Sequence, residues 1–173
     1  MDANNVSYND DGDLVIKIDS YNRVGGAIES NDYYESGSFE FVGKMDCPSG
    51  ATMAFWTFYN EDNGNVNHEI DFELYGENTI MYSCYTSEKD VTTIKDTLDY
   101  TIYDNEFHTY RFNWYSGDRV EFYIDDVLVA TITENIPTRP MKVWIGAWCP
   151  TWSGEPVQGE YTMTVQSFRY TAF

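Results

Sequence analysis

In six separate runs the apolar residues of this chain fall on alternate positions: Leu14, Ile16 and Ile18; Phe39 and Phe41; Ile70, Phe72 and Leu74; Tyr110, Phe112 and Trp114; Val120, Phe122 and Ile124; Met141, Val143 and Ile145. Period two marks a strand with one buried face, and no stripe at helical spacing competes with it. Turn signals separate the runs: Asn9-Asp10-Asp11-Gly12, Pro48-Ser49-Gly50, Asp62-Asn63-Gly64, Ser116-Gly117-Asp118 and Ile136-Pro137-Thr138. A polar loop is expected from Asn60 to Asn67. Strands patterned in this way bury their apolar faces by packing sheet on sheet, so the chain is predicted to be an all-β sandwich. Trp144 and Trp148, of opposite parity to Val143 and Ile145, would then look outward. A length of 173 residues without repeat or linker suits one domain over 1–173.

The charge balance narrows the partners. With 29 acidic and 10 basic residues the formal charge is −19, which sets aside nucleic acid and anionic membranes. A neutral, hydroxyl-rich ligand meets no such repulsion, and acidity for solubility alone explains the same number. No apolar run approaches the roughly 20 residues of a membrane helix, and Met1-Asp2-Ala3-Asn4 lacks signal-peptide character, so the chain reads as soluble and mature. Cys47, Cys84 and Cys149 are scattered, with no paired spacing, and define neither a metal site nor a disulfide framework.

One strand carries the chemistry. In Asn67-His68-Glu69-Ile70-Asp71-Phe72-Glu73-Leu74, the residues Ile70, Phe72 and Leu74 share one face, so Glu69, Asp71 and Glu73 share the other. At about 3.3 Å per residue the two glutamates stand roughly 13 Å apart at Cα. Side chains leaning inward can bring their carboxyls toward the ~5–5.5 Å of a retaining glycosidase. Crowded carboxylates raise at least one pKa, which keeps an acid protonated beside an ionised nucleophile. A solvated acidic face and a calcium site are the other readings of the same pattern.

The stretch His68 to Gly76 resembles the active-site strand of glycoside hydrolase family 16, which includes lichenases, laminarinases and xyloglucan transglycosylases. Its spacing, with no residue inserted before the second glutamate, is similar to the lichenase version. Five further stretches are similar to motifs of that family: Tyr33 to Phe41; Met53-Ala54-Phe55-Trp56-Thr57; Phe107 to Trp114; Phe122 to Val129; and Ile136-Pro137-Thr138-Arg139-Pro140. The resemblance implies a jelly-roll sandwich of two curved antiparallel sheets with a concave substrate groove. It implies Glu69 as nucleophile, Glu73 as general acid/base and Asp71 as the residue that tunes the pair. The implied protein is a secreted, monomeric endo-β-glucanase that acts on a polysaccharide or oligosaccharide and needs no cofactor. Another β-linked polysaccharide such as a galactan or xyloglucan, transfer to a sugar acceptor, and a lectin-like binding sandwich are the alternatives.

The resemblance also implies a binding surface. Trp56, Ser83, Tyr85, Trp148 and Trp152 fall where the family contacts sugar, with Trp148 and Trp152 as platforms of the donor side. Aromatic rings suit the apolar C–H faces of sugars. Three departures stand out. Asn67 replaces a Trp of the lichenases, while Ala27 and Glu29 replace a Glu and Arg clamp. The family's usual N-terminal segment is missing, and Gln166 occupies the place of an Asp that binds structural calcium, so no metal is expected.

Overall fold

The computed structural model describes residues 1–60, 67–76 and 78–173. The chain builds β1 (Val6–Tyr8), β2 (Leu14–Asp19), β3 (Gly26–Tyr34), β4 (Gly37–Met45), β5 (Thr52–Asn60), β6 (Asn67–Tyr75), β7 (Thr79–Tyr85), β8 (Val91–Thr97), β9 (His108–Tyr115), β10 (Arg119–Ile124), β11 (Val127–Ile132), β12 (Met141–Trp148) and β13 (Glu160–Ala172). Two antiparallel sheets result. One runs β1-β2-β13-β4-β9-β10-β11 and the other β3-β12-β5-β6-β7-β8. This is the expected sandwich of two antiparallel sheets.

The alternating runs become the core. Phe39, Phe41, Tyr110, Phe112, Trp114 and Phe122 project from the seven-stranded sheet, and Phe55, Ile70, Phe72, Leu74 and Tyr82 from the other; all are buried. Aromatic contacts cross the gap, with Phe41 on Phe55 at 4.4 Å and Phe72 at 5.6 Å from Tyr110 and 5.8 Å from Phe122. Large rings meeting at an angle fill volume densely and favour edge-to-face geometry. Trp114 also donates its indole N–H to the carbonyl of Pro137 at 3.0 Å, which ties the Ile136-Pro137-Thr138 turn to the core.

Local chemistry sets the turns. Asp125 and Asp126 adopt left-handed φ of 47° and 62° and close the hairpin of β10 and β11 in two residues, a turn matched to strand twist. The carboxylate of Asp125 accepts from the Thr109 N–H at 2.8 Å, so the turn is held from the neighbouring strand. Two expectations need adjustment. The stretch Tyr33 to Phe41 is not one strand: it breaks at Glu35-Ser36, where the chain crosses from one sheet to the other. Asn60 and Asn67, expected in a loop, instead pair as the last residue of β5 and the first of β6. The turn Asp62-Asn63-Gly64 lies outside the described residues.

Gly50 closes the turn before β5 with φ +82°, and a Cβ there would lie 2.3 Å from the Cα of Pro156. Gly12 has a similar φ of +88° with open space around it. Gly50→Ala is therefore expected to cost about 2–4 kcal/mol, and Gly12→Ala only about 1 kcal/mol, the conformational share alone. Denaturant midpoints of the two variants check the difference.

Candidate active site

Strand β6 lies between β5 and β7, so its backbone is bonded on both sides. Its apolar parity faces the core, and Glu69, Asp71 and Glu73 face outward. Register places them in rows that cross the sheet. Glu69 lies between Phe58 and Tyr85, Asp71 between Trp56 and Ser83, and Glu73 between Ala54 and Met81. One strand further, Trp144 pairs with Trp56 and Gly146 with Ala54. The row through Glu73 thus carries Gly146 and Ala54, the smallest side chains of the face, beside the row of Trp56 and Trp144. This difference in bulk opens a cavity of about 400 Å³ around the carboxylates.

Trp56, Tyr85, Trp148 and Trp152 line that cavity together with Glu69, Asp71 and Glu73. Trp56 stacks on Trp144 with centroids 5.6 Å apart and meets Trp148 at 5.7 Å. Trp152 is separate from this group. It sits in a short 3-10 turn, Thr151–Ser153, is 57% exposed, and packs edge-on against Tyr75 at 5.4 Å. The two rings expected as platforms both line the cavity but have different partners, Trp148 beside Trp56 and Trp152 against Tyr75. Ser83 departs further. It shares the row of Asp71, yet it is fully buried, and its hydroxyl is engaged with Thr93 at 3.1 Å. It lies in the floor and does not line the cavity.

A second cavity of about 340 Å³ continues from the first, sharing Met81 and Trp152 and bordered by Tyr75, Thr79 and Lys95. Glu29, at the other margin of this face, pairs with Lys142 at 3.1 Å. Gln166 is exposed at a register shift in β13. Among the described residues no group of three or more His, Cys, Asp or Glu side chains is placed to hold a metal ion. All three cysteines are free and buried.

Electrostatics separate the carboxyls. Asp71 and Glu73 are 6% and 8% exposed, so their ionised forms have lost most of their water. Burial pushes Asp71 well above the usual carboxylate range, and the charges of Glu69 and Glu73 push it further. A protonated Asp71 donates to Glu69. Burial raises Glu69 as well, but the hydrogen bonds from Asn67, whose amide reaches Oε2 at 3.2 Å, and from Asp71 act in the opposite direction. Burial, reinforced by the charge of Glu69, raises Glu73 to about 7 against the hydrogen bond from the Tyr75 hydroxyl at 3.1 Å. The row therefore holds carboxyls of unequal proton affinity, with Glu73 poised near neutral pH.

Asn67 and Tyr75, the two neutral donors, received no role from the sequence. Both share the parity of Glu69, Asp71 and Glu73, so the alternation that finds the carboxylates extends to them.

A raised carboxyl pKa has a defined effect on stability. Between about pH 4.5 and 7 the folded state holds a proton on Glu73 that the unfolded chain has released, so stability is full below that window and falls as pH rises through it. The difference is on the order of 3 kcal/mol. Glu73→Gln removes the titrating group and keeps the shape. The variant is expected to melt several degrees above wild type at pH 8 and to show no gain at pH 4, as thermal melts across pH would register.

Comparison with known proteins agrees with this architecture. Residues 1–166 match the sequence model of Glycosyl hydrolases family 16. The chain is 32% identical to the "Beta-glucanase" of Paenibacillus macerans and 31% identical to that of Paenibacillus polymyxa, in each case over 92% of this chain and 72% of the relative. Its fold superposes on the beta-glucanase of Bacillus licheniformis with a TM-score of 0.84 at 26% identity, covering 99% of this chain and 84% of that one. On the strength of its whole length, and not of the carboxylate strand alone, the chain belongs to glycosyl hydrolases family 16.

Proposed function

We propose that this glycosidase hydrolyses internal linkages of a β-glucan, β-1,3-1,4 or β-1,3, with retention of configuration. The observation that carries the reading is the single row Glu69-Asp71-Glu73 on the groove face of β6, with Asp71 and Glu73 both pushed up in pKa by burial. The relatives named beta-glucanase supply the substrate class. The second cavity supports endo action, since room continues past the carboxylates for more of a polymer.

In the first step a carboxylate oxygen of Glu69 attacks the anomeric carbon as the glycosidic C–O bond breaks, and the proton of Glu73 passes to the leaving oxygen. The product is a glycosyl ester on Glu69. Water then attacks the same carbon, Glu73 takes its proton, and Glu69 leaves as a carboxylate. Asp71 keeps Glu69 ionised between turns by donating to it. Its own proton stays in place because its site is the driest of the three.

The same reading makes residues 1–173 one catalytic domain, acting as a monomer outside the cell. With a charge of −19 it has no affinity for nucleic acid or an anionic bilayer. No helix among the described residues is long and apolar enough to cross a membrane.

Glu69→Gln keeps the shape and removes the nucleophile, so turnover of a β-glucan is expected to fall more than about a hundredfold with folding intact. Residual activity above that level removes Glu69 from the role. Proton NMR of early wild-type product should show the β-anomer first; release of the α-anomer means inversion and sinks the two-step scheme.

Trp152→Ala should raise KM several-fold with kcat nearly unchanged, since stacking holds substrate and transition state alike. Its melting temperature should stay close to wild type because the ring is largely exposed. Trp148→Ala, which undoes the packing on Trp56, should lower both affinity and stability.

A further inference from the structure

The acid/base has a neighbour whose chemistry the two-step scheme leaves unused. Tyr75 is the last residue of β6 and has the parity of Glu73, so its side chain stands on the same face. Its hydroxyl donates to Oε2 of Glu73 at 3.1 Å, with the thioether of Met81 at 3.7 Å on its other side. The ring is braced edge-on by Trp152 at 5.4 Å. The backbone beneath is held from the core side. The hydroxyl of Tyr103 donates to the Tyr75 carbonyl, and the thiol of Cys47 to that of Leu74 at 3.2 Å. Such bracing leaves the phenol little freedom to turn away.

We infer that Tyr75 is a positioning residue for Glu73: its hydroxyl occupies Oε2, so that Oε1 is the oxygen that carries the proton to the glycosidic oxygen. The inference rests on the role proposed above for Glu73. In the first step the O–H bond on Oε1 breaks, its proton joins the leaving oxygen, and the bond from Tyr75 becomes a charge-assisted one to the new carboxylate. That bond strengthens as charge develops and so favours the transition state over the ground state. In the second step the same bond holds Oε2 while Oε1 takes the proton of the attacking water. Tyr75 itself stays protonated throughout, because burial and the charge of Glu73 push its own pKa upward.

Few other groups could set the proton affinity of Glu73. On β6 these are Glu69, whose charge opposes its ionisation, and Asp71, and on β7 the phenol of Tyr85. On β8, Lys95 stands in the row of Met81 at the margin of the second cavity. The residues facing Glu73 from β5, β12 and the 3-10 turn are Ala54, Trp56, Trp148 and Trp152, none of which titrates. Tyr75 is the hydrogen-bond donor that favours the ionised form of Glu73.

The test is Tyr75→Phe, which removes one oxygen and keeps the ring on Trp152. On a β-glucan its kcat is expected to fall roughly tenfold with KM unchanged, the loss of one hydrogen bond to a charged group. The alkaline limb of the rate profile should move up by at least about half a pH unit, because an acid deprived of a donor to its anion holds its proton longer. With a dinitrophenyl oligoglucoside, whose leaving group needs no proton, the rate of ester formation should match wild type. A carbon-13 NMR titration of the Glu73 carboxyl in the free protein reads the shift directly, and a thermal melt verifies the fold. A lowered kcat with the limb and the carboxyl titration unmoved means only a structural role and overturns the inference. Glu73→Gln on the same two substrates separates this from the reading beneath it. If that variant loses equal activity on both, Glu73 is not the acid and the inference falls with it. If it is impaired on the glucan alone while Tyr75→Phe titrates as wild type, only the inference about Tyr75 fails.

Discussion

Phe72 meets Tyr110 and Phe122 across the gap between the sheets, and that contact seats the strand on which the chemistry stands. The residues on either side of Phe72 in sequence are Asp71 and Glu73, pointing the other way. Strand geometry allows no slack in this relation. A slip by one residue would turn three carboxylates into an aromatic core and three apolar residues into the groove, so the register of β6 is fixed by the cost of every alternative. The core thus does more than hold the sheets together. It determines which side chains can be presented beside one another, and at what spacing.

What the core fixes in position, burial converts into function at the expense of stability. Three acidic side chains on one half-dry face repel one another and lack water, and the protein answers with neutral donors instead of cations. Asn67 serves Glu69, Tyr75 serves Glu73, and Asp71 keeps its proton and serves as a donor itself. An Arg or Lys in either place would lower the pKa much further and abolish the acid. The restraint is visible in Lys95, the cation at the edge of the second cavity, one strand beyond Met81 and separated by it from Glu73. Perturbed carboxyls that persist without a compensating ion pair are a feature of sites that use the proton.

The sandwich was legible in the sequence because period two is a direct image of strand geometry, and the six runs became buried faces without exception. The carboxylate row was legible for the same reason. What escaped depended on contacts between strands distant in sequence. Ser83 has the right parity, but only the neighbouring strand reveals that its hydroxyl is engaged with Thr93 and fully buried. Trp148 and Trp152 are four residues apart, and a strand end followed by a 3-10 turn sends them to different partners. The break at Glu35-Ser36 was hidden because both flanking stretches read as strand, and their assignment to different sheets is a matter of topology. Tyr75 was readable from parity alone. Its hydroxyl, however, acquires meaning only beside Glu73.

The carboxylates and the exposed charged groups occupy different parts of the same sheet, and the division follows from mechanical support. Strand β6 is paired along its length on both sides, so groups that must hold a proton at a fixed place stand where the backbone moves least. Charged and exposed groups lie toward the margins: Glu29 with Lys142 where β3 ends the sheet, Lys95 on the opposite edge strand β8, and Trp152 on a turn outside the strands. Edge strands and turns tolerate replacement, since fewer backbone bonds and core contacts depend on them. Between centre and margin run the small residues Ala54 and Gly146, and their lack of bulk is itself part of the recognition. A side chain added at Gly146 would meet Ala27 at 2.9 Å and Trp56 at 3.2 Å, so the floor beside Glu73 can be filled only by moving the ring that borders it. The space for a sugar is therefore specified by the same packing that places the tryptophans.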